Sequence, residues 1–153
     1  MDKVRDVVNG LKKSYAMELE SVQNYLANSI HLEGPPADKV KKVLENAAFS
    51  ELQHARRLAR RIKILGDRVP GSLELPRDQN YLQPPIDNRD SATVIRGALT
   101  ATNAAIAHYQ AMIQITEDFD FVTQDLLIEL LAEEQEQKVS LNQLLACISV
   151  HGA

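Results

Sequence analysis

One cysteine, Cys147, is all that the 153 residues contain, so no intramolecular disulfide can brace the fold, and a reducing cytosol is the expected location. Positive charge is also in short supply: 17 Lys and Arg stand against 21 Asp and Glu, giving a formal net charge of -4. Without a basic excess or a long lysine-rich tail, the chain lacks the attraction to phosphate that dominates nucleic-acid affinity, and nucleic acid is not an expected partner. Long apolar runs are missing as well. The longest stretch without formal charge, 97–116, holds Thr100, Thr102, Asn103, His108, Gln110 and Gln114, which makes a poor membrane span and reads as a buried helix. The first ten residues interleave Asp2, Lys3, Arg5 and Asp6 with apolar side chains, unlike a signal sequence. No strand-like alternation of useful length occurs.

What is present is helical periodicity. Apolar residues recur at helical spacing over about 4–30, 40–65, 94–115 and 121–148, which predicts four long helices. Gly34-Pro35-Pro36 ends the first, Gly66 follows the second, and a short acidic turn, 117–120, separates the last two. These short joins predict two antiparallel hairpins. Between the second and third helices lies 67–89, with Pro70, Gly71, Pro76, Pro84 and Pro85, which is long enough to run the length of a bundle. Asp90 or Ser91 is the expected N-cap of the third helix. With 44% hydrophobic residues and this length, 1–153 is expected to form a single domain.

A polar residue whose neighbours three, four and seven positions away are apolar points into the core. Glu18 has Leu11, Tyr15, Val22 and Tyr25 on its face, whereas Glu20 has Lys13, Gln23 and Asn24 and should be solvated. Glu51 sits among Leu44, Ala47, Ala48, Ala55 and Leu58, and His54 follows one turn later, offset by roughly 60° at about 3.6 residues per turn. Glu134 has Leu127, Leu130, Leu131 and Leu141 on its face, with Gln137 three residues on, while Glu133 has the more polar surroundings of Glu129, Glu136 and Ser140. The matching position of the third helix is Thr102, among Ile95, Ala98, Leu99, Ala105, Ile106 and Tyr109.

Glu18 to Glu51 is 33 residues and Thr102 to Glu134 is 32, so the chain reads as internally duplicated, and each hairpin brings its pair to one height. Several buried carboxylates without compensation would be very costly, and a cation is the simplest offset. Tyr25 and Tyr109, each seven residues beyond the corresponding position, are read as core residues with hydrogen-bonded hydroxyls. His31 near a helix C-terminus suits the helix dipole, and His108 and His151 have no second ligand at recognisable spacing. The basic run Arg56, Arg57, Arg60, Arg61 and Lys63, late in its helix, is expected to be a solvated face that complements the dipole.

With these residues in place, the sequence resembles the ferritin-like superfamily over nearly its whole length, especially bacterioferritins and DNA-protecting mini-ferritins with a bacterioferritin-type centre. In that fold one Glu from each of two helices and a Glu-x-x-His motif from each of the other two build a di-iron site. Glu51-Leu52-Gln53-His54 matches the motif in full, Glu18 with Tyr25 matches the first-helix carboxylate and its later Tyr, and 125–134 looks like the fourth helix. Two departures stand out: Gln137 occupies the place of the second His, and Thr102 that of the third-helix Glu. The resemblance implies an all-α, ferritin-like antiparallel four-helix bundle with one long crossover between the second and third helices. Glu18, Glu51, His54, Glu134 and Gln137 are the expected metal residues. Haem is not expected, because Leu52 stands where bacterioferritins place the ligating Met after the second-helix Glu. The chain ends 19 residues after Glu134, which leaves little room for a fifth helix and favours a mini-ferritin-like assembly or a smaller oligomer.

Carboxylates with one imidazole suit iron, and also manganese or zinc. The position near His54 is expected to be viable, whereas the other keeps only shared carboxylates, the Gln137 amide and the Thr102 hydroxyl. Paired ferrous ions can pass two electrons to dioxygen or peroxide at one site, a lone ion only one. The expected function is therefore iron binding with ferrous oxidation and storage or detoxification, a ferroxidase acting in a homo-oligomer. The alternative is a degenerate ferritin-fold structural or interaction protein without that activity.

Overall fold

The computed structural model describes residues 2–151, with side chains as far as Ser149; the His151 side chain lies outside the described residues. Four helices form: α1 Lys3–His31, α2 Ala37–Ile64, α3 Ser91–Thr116 and α4 Phe121–His151. Each predicted helix is present, with its ends within three residues of those expected. Local chemistry sets the starts. The Asp2 carboxylate accepts the Arg5 N–H at the head of α1, and the Asp90 carboxylate accepts both the N–H and the hydroxyl of Thr93 at the head of α3. Asp120 does the same for Thr123 before α4. Gly34 and Gly66 take φ of 100° and 88°, the left-handed conformation that reverses the chain after α1 and α2.

α1 packs along α2 and α3 along α4, as antiparallel hairpins. The hairpins meet mainly through α1 and α3. α2 and α4 approach less closely and are bridged by long side chains: Arg61 donates to Asp120 and Thr123, and Arg57 pairs with Glu129 and Glu133. The basic run is thus a solvated face only in part. Arg56 and Arg60 are exposed, but Arg57 and Arg61 reach across to α4, with Arg61 largely covered.

The crossover from α2 to α3 contains two short 3₁₀ turns, Ser72–Glu74 and Asn80–Leu82, and is fastened along α1. The Glu20 carboxylate accepts the backbone N–H groups of Asp78 and Gln79 at 2.9 and 3.0 Å. Asn28 donates to the Leu82 carbonyl at 2.8 Å, and His31 lies 2.6 Å from the Pro85 carbonyl. Glu20, expected to be solvated, is instead half-buried and clamps the crossover. Similarly, His31 does sit in the last turn of α1, where it also holds the crossover.

Two apolar clusters fill the bundle. One, around Leu32, Val40, Leu44, Ile95 and Leu141, lies toward the α1–α2 turn; the other, around Val7, Leu11, Leu58, Met112, Leu127 and Leu130, lies toward the opposite end. Between them every helix contributes a buried polar residue at one level: Glu18, Glu51 with His54, Thr102, and Glu134. A core in which each fully buried Val, Leu, Ile or Met contributes roughly 1.5–3 kcal/mol can absorb one such layer, provided its charges are balanced. No helix among the described residues is long and apolar enough to cross a membrane.

Candidate metal centre

Glu18, Glu51, His54 and Glu134 each present one ligand atom within 4.8 Å of the others, and all four side chains are buried. Helical repeat explains the convergence. Glu51 and His54 lie three residues apart on one face of α2, and the hairpin geometry brings Glu18 and Glu134 to the same height from α1 and α4. Nδ1 of His54 stands 3.1 Å from Glu51 Oε2, 3.5 Å from Glu134 Oε1 and 3.6 Å from Glu18 Oε2. Even so, His54 Nδ1, Glu51 Oε2 and Glu134 Oε1 are buried with no aligned hydrogen-bond partner. They crowd together without a hydrogen bond that pairs them off. Beside them is a cavity of about 10 Å³, the room of one water or one ion, bounded by the three carboxylates with Thr102 and Tyr25. Thr102 Oγ1 is likewise buried without a partner.

The electrostatics record the strain of this arrangement. Burial pushes the Glu18 carboxyl up to about 7, with the Glu134 charge adding to the rise and His54 and Tyr109 opposing it. Burial also raises Glu134, again opposed by His54. For His54, burial disfavours the imidazolium, but the nearby carboxylates of Glu134 and Glu18, with Glu133 on the far edge of the ring, outweigh it and push the ring up to about 10. Without a cation, a proton on His54 carries part of the compensation.

The surroundings orient these groups. Tyr109 donates its hydroxyl to Glu18 Oε1, so that carboxylate is fixed from α3. Gln137, half-buried on α4, donates its amide to the Tyr25 hydroxyl at 3.3 Å. Burial and the charges of Glu134 and Glu18 raise the Tyr25 phenol, and burial with Glu18 raises Tyr109, so both are hydrogen-bonding neutral phenols. On the far edge of the imidazole, His54 Nε2 lies 2.5 Å from Glu133 Oε2. Glu133 is half-exposed, and its helical neighbours are polar, so the periodicity that singles out Glu134 passes over it. The one histidine of α3 stands apart: His108 Nε2 reaches the Gly10 carbonyl at 3.0 Å and the Ser14 hydroxyl at 2.8 Å, and burial lowers its basicity.

A four-helix bundle with one long crossover and a buried carboxylate–histidine layer defines a ferritin-like architecture. The ferritin-like domain family matches residues 8–149, and the chain belongs to that family. Its structure is similar to that of the bacterioferritin-related protein of Bacteroides fragilis, a dodecameric thioferritin, with a TM-score of 0.84 and 23% identity over 97% of this chain and 89% of that one. A ferritin-like diiron-carboxylate protein of Bacillus anthracis superposes with a TM-score of 0.82 at 20% identity, covering 95% of this chain and 99% of that one. A mutant of Mycobacterium smegmatis Dps1 gives 0.81 at 21% identity, with the same coverage of each. No curated protein sequence matches the chain.

Proposed function

We propose that residues 1–153 form a single ferritin-like domain that binds ferrous iron at Glu18, Glu51, His54 and Glu134, oxidises it, and stores or detoxifies it. The observation that carries this reading is the set of buried, unpartnered atoms on Glu51, His54 and Glu134, gathered with Glu18 within 4.8 Å of one another. Three carboxylate oxygens and one imidazole nitrogen are donors suited to iron, with manganese or zinc as competitors. Iron would supply the electrons and dioxygen or peroxide would accept them; the chain supplies the negative charge that draws the ion in, the fixed donors, and two apolar clusters that limit water. Glu133 holds the His54 ring so that Nδ1 faces inward, and Tyr109 orients Glu18.

A second ion would depend on the shared carboxylates with Gln137 and the Thr102 hydroxyl, neutral donors that bind more weakly. The unpartnered Thr102 oxygen keeps that position open to a ligand. Assembly as a homo-oligomer belongs to the same reading: Ile30, Phe49, Ile64 and Phe121 are each about two-thirds exposed, and a similar structure is dodecameric. Aerobic ferrous loading, followed by ultraviolet absorbance and retained iron, tests the function. Iron handling equal to that of a Glu51→Ala, His54→Ala control would favour the second reading, a ferritin-fold structural or interaction protein, for which Thr102 and Gln137 speak.

A further inference from the structure

The metal cavity and a groove on the α1–α3 face share two wall residues, Met17 and Gln79. The groove has an alanine floor from α3, Ala104, Ala107 and Ala111, and carries the carboxylates Glu20 and Asp78 at its crossover edge. On the other side of the bundle, the groove between α2 and α4 has no wall residue in common with the cavity. Of these two grooves, only the one on the α1–α3 face shares walls with the cavity, and Met17 and Gln79 are the residues between them.

Gln79 comes from the crossover, not from a helix, yet it is only 5% exposed. Its amide donates to the Ser21 hydroxyl at 2.7 Å and accepts from Asn24 at 3.0 Å. Its backbone N–H is held by Glu20. A polar side chain inserted between two helices and tied by exchangeable hydrogen bonds can withdraw with its loop, whereas an apolar plug would have to break packing on both sides. We propose that Gln79, carried by the crossover and latched by Glu20, is a gate through which divalent cations reach the buried centre from the α1–α3 face.

This rests on the metal reading above, and equilibrium and kinetic measurements separate the two. A gate lies between the end states, so weakening it speeds passage in both directions and leaves affinity alone. Cobalt(II) is the probe, its uptake followed by visible absorbance in stopped flow and its release by a chelator chase. Gln79→Ala, which removes the hydrogen bonds to Ser21 and Asn24, is expected to raise both rate constants by about tenfold or more, with Kd unchanged. Met17→Ala, which breaks no hydrogen bond, and Glu20→Gln, which loosens the latch without touching the cavity, should act in the same direction. Thermal melts identify a variant that fails to fold, and the other two then carry the test. Tight cobalt binding with unchanged rates in all three variants would overturn the gate alone. A release rate that rises without the uptake rate would mark Gln79 as a ligand and also overturn it. No cobalt binding by the wild type would overturn gate and metal site together.

Discussion

His54 is held at both ends of its ring: Nδ1 faces Glu51, Glu134 and Glu18, while Nε2 is 2.5 Å from the carboxylate of Glu133. A carboxylate oxygen accepts, so Nε2 donates to Glu133, and Nδ1 is the nitrogen that can give up its proton to a cation. Glu133 in turn lies 3.8 Å from Arg57, which places its charge on the α2–α4 surface. Glu133→Ala should therefore weaken metal binding by about 10–100-fold, the usual cost of losing an outer partner of a metal-bound histidine. The fold should survive, because Glu133 is exposed, and a cobalt titration beside a thermal melt separates the effects. Equal affinity for wild type and variant would show that packing alone orients the ring.

Uptake of a cation should release protons. At neutral pH a site with His54 near 10 and Glu18 near 7 holds a proton on the ring and a partly occupied one on the carboxyl. A metal needs both groups deprotonated, so loading at pH 7 must displace more than one proton on average. Apparent affinity then rises with pH, at about tenfold per unit for each proton displaced, and the ring's share ends above about 10. Calorimetry of zinc binding in buffers of different ionisation enthalpy counts the protons directly. A heat that does not depend on the buffer would contradict the prediction.

Gly97→Ala sets helix propensity against space. Alanine favours a helix interior by about 1 kcal/mol over glycine, so the change would stabilise α3 in isolation. In the bundle, however, a Cβ at residue 97 would run into the backbone carbonyl of Tyr81 and press on the Leu82 side chain, where the crossover rests on α3. A backbone oxygen cannot swing aside as a side-chain end can. Overpacking at about 1–3 kcal/mol should outweigh the propensity gain, and chemical denaturation should give a net loss. A net gain in stability would mean that the crossover yields at little cost.

The helices and the inward carboxylates were legible because both follow one repeat. Glu18, Glu51, Glu134 and Thr102 are polar residues in apolar faces, and all four are buried where that pattern predicts. The same rule fails where a residue's partner is remote and its own face is polar. Glu133 touches a histidine 79 residues away, and Glu20 holds a backbone 58 residues away. Neither distance leaves a periodic trace. Gln79 lies in a proline-rich segment with no periodicity at all, so only the folded crossover reveals that it is buried. Arg57 and Arg61 satisfy a helix-dipole reading, yet their ion pairs with Glu129 of α4 and with Asp120 just before it depend on the spacing of two helices that sequence alone does not set.

The two halves of the layer differ in chemistry, and this leads to the last prediction. Glu18 on α1 corresponds to Thr102 on α3, and His54 on α2 to Gln137 on α4, so the second half has lost one charge and one imidazole. Thr102 already lies buried with an unpartnered hydroxyl at the cavity wall, and Gln137 already reaches the cavity-lining Tyr25. Replacing both, by Thr102→Glu and Gln137→His, should therefore create a second strong position without rebuilding the bundle. Without metal the added carboxylate would be uncompensated, so the double variant should melt at a lower temperature than wild type and recover on metal addition. Neither single change supplies both the charge and the imidazole, so the gain should exceed the sum of the singles. Calorimetry should give unequal sites in the wild type, two tight sites in the double variant, and faster ferrous oxidation with the second site filled. Two equally tight sites in the wild type would mean that Thr102 and Gln137, or another donor, already serve as well as the groups they replace.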